Sequence, residues 1–264
     1  MGNYYGDIRL TDDMPFLLMA QHTDGATAGK LVHHHPEGQM YIPAQGVIVI
    51  EAGGNRQVLP PGRLGWIPPY MPHSASAHGN TLKPGLAGYT IHMTPSLCSG
   101  FPQQSLVLPM SPLAVSLLAR MCGWPMGTPA DAADRRLLEV FLDEMRGARP
   151  DPLHLTMPRH PRLAAMAAAI AADPADETDL DSWAAHMGWS RRSLTRHFRA
   201  ETGMSLVEWR QVARLQKGME LLNGGASVTT VAISLGYDSV SSFIALFRRI
   251  LGTTPAKFSQ SPAT

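Results

Sequence analysis

The spacing of apolar positions changes near residue 150. Before it, short β-rich runs such as Val47-Ile48-Val49-Ile50, Leu64-Gly65-Trp66-Ile67 and Tyr89-Thr90-Ile91 are cut apart by glycine and proline turn signals between Gly25 and Gly100. Evenly spaced short strands of this kind predict a barrel or jelly roll. Two helical stretches follow. One runs from Ser111 to Gly123 with Pro112 at its first helical position, where the missing N–H costs nothing. The other covers residues 131–148, with Leu137, Leu138, Phe141, Leu142 and Met145 at helical spacing. They can pack under the barrel or pair with a second copy of the chain. Past residue 160 the pattern is helical throughout.

Within that helical part a unit occurs twice. Ala184, Gly188, Leu194, Phe198, Gly203 and Trp209 are matched by Ala232, Gly236, Phe243, Phe247, Gly252 and Phe258. The offset grows by one residue in the turn, as expected of one supersecondary unit used twice. A small residue lets two helices approach, and Gly188 or Gly236 supplies a positive φ where the first helix ends. Ser190 caps the next helix, with Asp238 or Ser239 as its equivalent. The i, i+4 pairs Leu194/Phe198 and Phe243/Phe247 form the buried side. This is the pattern of a helix-turn-helix, whose second helix enters the DNA major groove. Between the copies, Ser205 to Leu222 reads as one helix about 27 Å long, able to hold the two units about 34 Å apart, one turn of a duplex. Arg210, Arg214 and Lys217 share one of its faces, which reads as an ordinary solvated stripe.

Composition sharpens the division. Of 22 prolines, 19 lie at or before Pro161, and four punctuate the stretch from Ala148 to Pro161. Charge appears uninformative, with 22 Lys and Arg against 21 Asp and Glu. From Ser182 onward, however, 10 basic face 4 acidic side chains, a net +6 that the whole-chain figure of +1 conceals. Five acids between Asp173 and Asp181 precede that block, and Asp179 and Asp181 suit the start of a helix. The longest strongly apolar run, Leu163 to Ala172, is too short to span a bilayer. The first residues carry no basic-then-apolar leader, and Cys98 and Cys122 make neither a metal spacing nor a disulfide framework. The expectation is a cytoplasmic protein without membrane attachment.

The residues DLDSWAAHMGWSRRSLTRHFRAETG, RLQKGMELL and VTTVAISLGYDSVSSFIALFRRILGTTPAKF resemble the double helix-turn-helix domain of the AraC/XylS family of bacterial transcription regulators. The match is most specific at Gly236-Tyr237, Phe243, Phe247-Arg248 and Gly252-x2-Pro255. With Leu194 and Phe198 buried, the first recognition helix turns Arg192, Ser193, Thr195, Arg196 and Arg199 outward, beside Ser190 and Arg191. Arg192 and Arg196 suit bidentate contacts to guanine, and Arg191 and Arg199 suit phosphates. The second helix offers Ser239, Ser241 and Ser242, with Val240 and Ala245 for thymine methyls, and then Arg248 and Arg249 for the backbone. The first unit is therefore expected to carry most of the sequence readout and the second mainly to anchor. The resemblance implies a homodimer that binds operator DNA, contacts RNA polymerase and activates a neighbouring gene.

In the front half, VHHHPEGQMYIPAQG holds His33-x-His35-x3-Gln39-x6-Gly46, and Gly62-x5-Pro68-x4-His73 follows. On a strand, His33 and His35 point together and His34 away. The two patterns resemble the cupin motifs, which place three His and an acid around a metal in a barrel mouth. This chain departs from them at the acid, which is Gln39. His33, His35 and His73 are the candidate metal ligands. With Gln39 they could hold a divalent ion or line a small-molecule effector site.

The sequence thus predicts an α+β chain of two domains: a cupin-like β-barrel with two helices for sensing and dimerisation (residues 1–150), a linker (151–160), and an all-α double helix-turn-helix (161–264). The function expected is an effector-controlled, sequence-specific transcription regulator that is not an enzyme. A cupin metal-dependent dioxygenase or isomerase with an appended helical domain is the rival reading, and a DNA-binding protein whose barrel only dimerises is a third.

Overall fold

The computed structural model describes residues 10–23, 31–78, 85–124, 131–151 and 153–260. The strands are β1 (Phe16–Thr23), β2 (Gly38–Pro43), β3 (Val47–Ala52), β4 (Asn55–Leu59), β5 (Arg63–Ile67), β6 (His73–His78), β7 (Gly85–Met93), β8 (Leu106–Pro109) and β9 (His154–Thr156). They form two antiparallel sheets, ordered β1-β7-β2-β5-β8 and β6-β3-β4-β9. Neither order closes on itself, so the β-rich domain is a pair of facing sheets and not a closed barrel.

Strand β2 explains why three layers form. All six of its residues are buried, and the period of two divides them between two cores. Met40 and Ile42 join Trp66, Ile91 and Met93 in one cluster, under the helices α1 (Pro112–Met121) and α2 (Ala132–Gly147). Tyr41 belongs to the other cluster, between the sheets, with Val49, Ile50, Val58, Leu59 and Ile67. Both helices begin as the sequence predicts: Ser111 Oγ accepts from the Ala114 N–H, and the Asp131 carboxylate accepts from Ala133 and Asp134. Leu117, Leu118, Leu138, Phe141, Leu142 and Met145 face the first sheet of the same chain. Leu113, Val115 and Val140 are left exposed on the other side.

The back half comprises α3 (Pro161–Ala172), α4 (Leu180–Met187), α5 (Arg191–Thr202), α6 (Leu206–Asn223), α7 (Val228–Ser234), α8 (Val240–Leu251) and α9 (Pro255–Gln260). The turn glycines take the expected left-handed backbone, φ 65° at Gly188 and 72° at Gly236. The first unit closes around Leu194, Phe198 and Trp209, and the second around Phe243, Phe247, Met219 and Leu235. Gly218 on α6 lets the second unit seat closely, since a Cβ there would lie 3.2 Å from Leu235 and the Phe243 ring.

The stretch between the halves is not loose chain. Residues 154–156 form β9 and pair with β4, Leu155 opposite Arg56. Leu155 is buried in the core of the first helical unit, and the indole N–H of Trp209 donates to the Thr156 carbonyl at 3.0 Å.

Candidate functional site

Helix α5 starts at Ser190, whose Oγ accepts from the Ser193 N–H at 3.2 Å. Burial of Leu194 and Phe198 sets its rotation, leaving Arg191, Arg192, Thr195, Arg196 and Arg199 exposed and Ser193 partly so. Arg191 makes a 3.0 Å ion pair with Asp181 of α4 across the turn. Thr195 Oγ1 donates back to the Arg191 carbonyl. Arg192, Arg196 and Arg199 therefore form an exposed cationic row on one helix.

Helix α8 repeats the cap with different chemistry. Ser239 Oγ accepts from the Ser242 N–H at 3.2 Å and lies 2.9 Å from the Ser242 hydroxyl. Ser241, Ala245, Arg248 and Arg249 are exposed, and with Ile244 they line an open cleft of about 640 Å³. Arg249 reaches Gln211 of α6 at 3.5 Å. The hydroxyls of Ser190 and Ser239 are thus engaged in their own helix starts.

The basic stripe on α6 differs from its sequence reading as a solvated face. Arg210 donates to the Thr178 carbonyl at 3.0 Å, and Arg214 donates to the Pro174 carbonyl at 2.8 Å and lies over the Tyr237 ring. Both are only partly exposed. They hold the acidic loop between α3 and α4, whose own backbone supplies the acceptors.

The second site lies where the two sheets meet. His33 and His73 form an isolated antiparallel bridge, each N–H donating to the other's carbonyl at 2.9 Å. Tyr70 adopts φ 61°, uncommon for a bulky side chain, and its N–H donates to the His35 carbonyl at 2.8 Å. These bonds bring His33, His35 and His73 together, with one ligand atom from each within 4.8 Å of the others. His34 is exposed and is not part of this group. Gln39, 4% exposed, completes the group: its Oε1 lies 3.1 Å from His35 Nε2 and 2.9 Å from His73 Nε2.

The ring nitrogens reveal the chemistry. His33 Nδ1 faces the Leu31 carbonyl, His35 Nδ1 the Glu37 carbonyl and His73 Nδ1 the Met71 carbonyl. A neutral imidazole has one donor and one acceptor nitrogen. With the Gln39 amide turned the other way, its nitrogen donates to both Nε2 atoms and one proton per ring suffices; with its oxygen facing them, His35 and His73 each have an oxygen acceptor at both nitrogens, and a single proton per ring cannot satisfy both contacts. A second proton would do so, but burial pushes the His73 pKa down to about 4, and the neighbouring His33 and His35 add to the effect. With the amide oxygen facing the histidines, a cation held by His33, His35, His73 and Gln39 would also satisfy these contacts. Three imidazoles and an amide oxygen form a donor set suited to Zn, Cu, Fe or Ni, and carbonyls on Nδ1 are how ligating histidines are usually oriented.

Comparison with known proteins places this architecture. The family described as "AraC-like ligand binding domain" matches residues 18–173, and a helix-turn-helix domain family matches residues 183–261. The chain belongs to the AraC-type transcriptional regulators. It is 31% identical over 227 residues to the HTH-type transcriptional regulator NimR of Escherichia coli, covering 86% of this chain and 81% of NimR. RipA of Corynebacterium glutamicum is 38% identical over 104 residues, 39% of this chain and 31% of RipA. Among solved structures, ToxT of Vibrio cholerae aligns over 93% of this chain and 96% of its own at 10% identity, with a TM-score of 0.39. This AraC-type chain accordingly has a ligand-binding N-terminal domain and a helix-turn-helix DNA-binding domain. No helix among its described residues is long and apolar enough to cross a membrane.

One member of the histidine group escaped the sequence reading. His92 on β7 is the cross-strand partner of Gln39 on β2, and the Gln39 side-chain nitrogen lies 3.1 Å from His92 Nε2. Its only signal in the sequence is its position two residues after Thr90 in a strand-like run, and register alone brings it to the site.

Proposed function

We propose that this AraC-type regulator reads operator DNA chiefly through Arg192 and Arg196 of α5, anchors through Ser241, Arg248 and Arg249 of α8, and is controlled by a divalent transition metal held by His33, His35, His73 and Gln39. The observation that carries the DNA reading is the contrast between two helix starts capped alike by a serine, one followed by an exposed arginine row and the other by serines. Arg191 and Arg199 serve phosphates, while Ser190 and Ser239 act mainly as caps, with the Ser242 hydroxyl against Ser239. Ser193 and Thr195 border the base-reading face. The metal reading is supported by the convergence of three imidazoles and the Gln39 side chain on one point. A metal would supply a charged centre that favours one arrangement of the loops carrying the histidines, and a ligand shifts an equilibrium only by such a difference.

The domain acts as a receptor and not as an enzyme, since an amide stands where the cupin pattern has its acid. The exposed side of α1 and α2, with Leu113, Val115 and Val140, forms the homodimer contact. The dimer works in the cytoplasm and activates a neighbouring gene with RNA polymerase. A footprint on the protein's own upstream DNA at stated salt, with and without Zn(II) on untagged protein, tests the whole reading. A bounded protected region that changes on adding the metal is expected. Uniform, salt-sensitive binding without a boundary would overturn it.

A further inference from the structure

The two halves meet through a small polar cluster centred on β4 and α6. Gln216 of α6 is fully buried, yet its hydrogen bonds run to the β domain and its edge. Its Nε2 donates to the Leu153 carbonyl at 2.6 Å and the Arg56 carbonyl at 3.3 Å, and its Oε1 accepts from Arg56 Nη1 at 2.9 Å. One turn further along α6, Glu220 forms an ion pair with Arg56 Nη2, while Lys217 stands 3.9 Å from the same carboxylate. A buried amide costs free energy when its partners are removed, so separating the halves strands Gln216. Leu215 and Met219 add apolar contact, belonging to the same buried cluster as Val49, Ile50 and Val58 of the sheets.

Helix α6 is also the strut that joins the two helix-turn-helix units. The structure assigns Arg56 the role of a positioning residue that seats α6 on the β domain, and so fixes the angle at which both DNA-reading helices are presented. Arg56 touches neither recognition helix nor the histidine group; it acts through Gln216 and Glu220. In a dimer, this seating sets the distance and phase between the two protomers' half-sites.

The test uses the full chain free of metal. Small-angle scattering and calorimetry on the wild type are expected to give one compact particle and one unfolding transition. Arg56→Ala gives a larger radius of gyration and two transitions, and the exchange Arg56→Glu with Glu220→Arg returns both towards wild type. If Arg56→Ala does not fold, Glu220→Gln, placed in the other half, carries the same expectation. An unchanged radius and a single transition in these variants overturn the assignment. A second arm, resting on the dimeric DNA binding proposed above, compares the footprinted DNA with the same DNA carrying an insert of about half a helical turn, ~5 bp, between its half-sites. The wild type discriminates at least tenfold, and Arg56→Ala discriminates less than threefold; equal discrimination by both counts against Arg56. A wild type that shows no preference overturns dimeric binding instead, and scattering still decides how α6 is seated.

Discussion

The side-chain nitrogen of Gln39 lies 3.1 Å from Nε2 of His92, its cross-strand neighbour. An amide can face either way, and only its partners decide which. His92 is driven strongly towards its neutral form, by burial first and by the surrounding histidines second, and in the tautomer protonated at Nδ1 its Nε2 accepts from the Gln39 amide. In that orientation the Gln39 oxygen faces His35 and His73. Replacing His92 by Phe is expected to weaken Zn(II) binding about 10–100-fold, the usual range for a residue that orients a ligand, and Gln39→Glu to strengthen it. Competition against a chromophoric chelator reads both. Equal affinities in all three proteins would remove Gln39 from the centre.

The same burial makes metal-free protein sensitive to acid. The folded pKa of His73 falls from 6.5 to about 4, so between those values the unfolded chain binds the extra proton and the folded one does not. Stability is then fully present above pH 6.5 and is lost as pH falls towards 4. For His73 alone the loss is on the order of 3 kcal/mol. Urea titrations of chelator-treated protein at pH 7 and pH 4.5 should show it. A His73→Gln variant whose stability falls just as steeply would place the cause elsewhere.

Arg196 and Ser241 occupy outward positions on equivalent helices. Arg196→Ala is expected to cost about 1–3 kcal/mol on the native operator and to relax its sequence preference. Ser241→Ala should cost less. The order of the two in a gel-shift titration at fixed salt checks the asymmetry, and the reverse order refutes it.

Ser190 separates capping from contact. Its Oγ accepts from the start of α5, so Ser190→Ala should lower stability by about 1 kcal/mol with little change in operator preference. Chemical denaturation and a binding-site competition together distinguish the roles. A large loss of specificity at unchanged stability would make Ser190 a base contact.

Gly218 tests how closely the second unit is seated. A methyl there meets Leu235 and Phe243 at 3.2 Å, and overpacking of this kind costs about 1–3 kcal/mol. Alanine normally favours a helix over glycine, so a stabilised Gly218→Ala variant would mean that the neighbours give way easily.

The helical half was legible because its signals are local. Caps at Ser190 and Ser239 and left-handed glycines at 188, 203, 236 and 252 sit where sequence spacing predicts them. His33, His35, Gln39 and His73 could likewise be grouped from motif spacing. His92 could not, because its place depends on β7 pairing with β2. Nor could the anchoring of Arg210 and Arg214, since their acceptors are carbonyls of a loop that no side-chain pattern reveals. The expected barrel opened into two sheets because short alternating runs specify strands and leave closure undetermined.

Strand β9 gives the connection between the halves a phase. Leu155 of β9 is buried among the helices of the first helical unit, between the half-buried His154 and Thr156, while Leu153 in the turn before the strand is buried against the sheets. A slip of one residue in the pairing of β9 with β4 would exchange Leu155 with its half-buried neighbours and turn it away from the helical core, whereas a slip of two would restore its direction. The connection therefore works as a keyed joint: an odd shift of register unkeys it, and an even shift can leave it engaged.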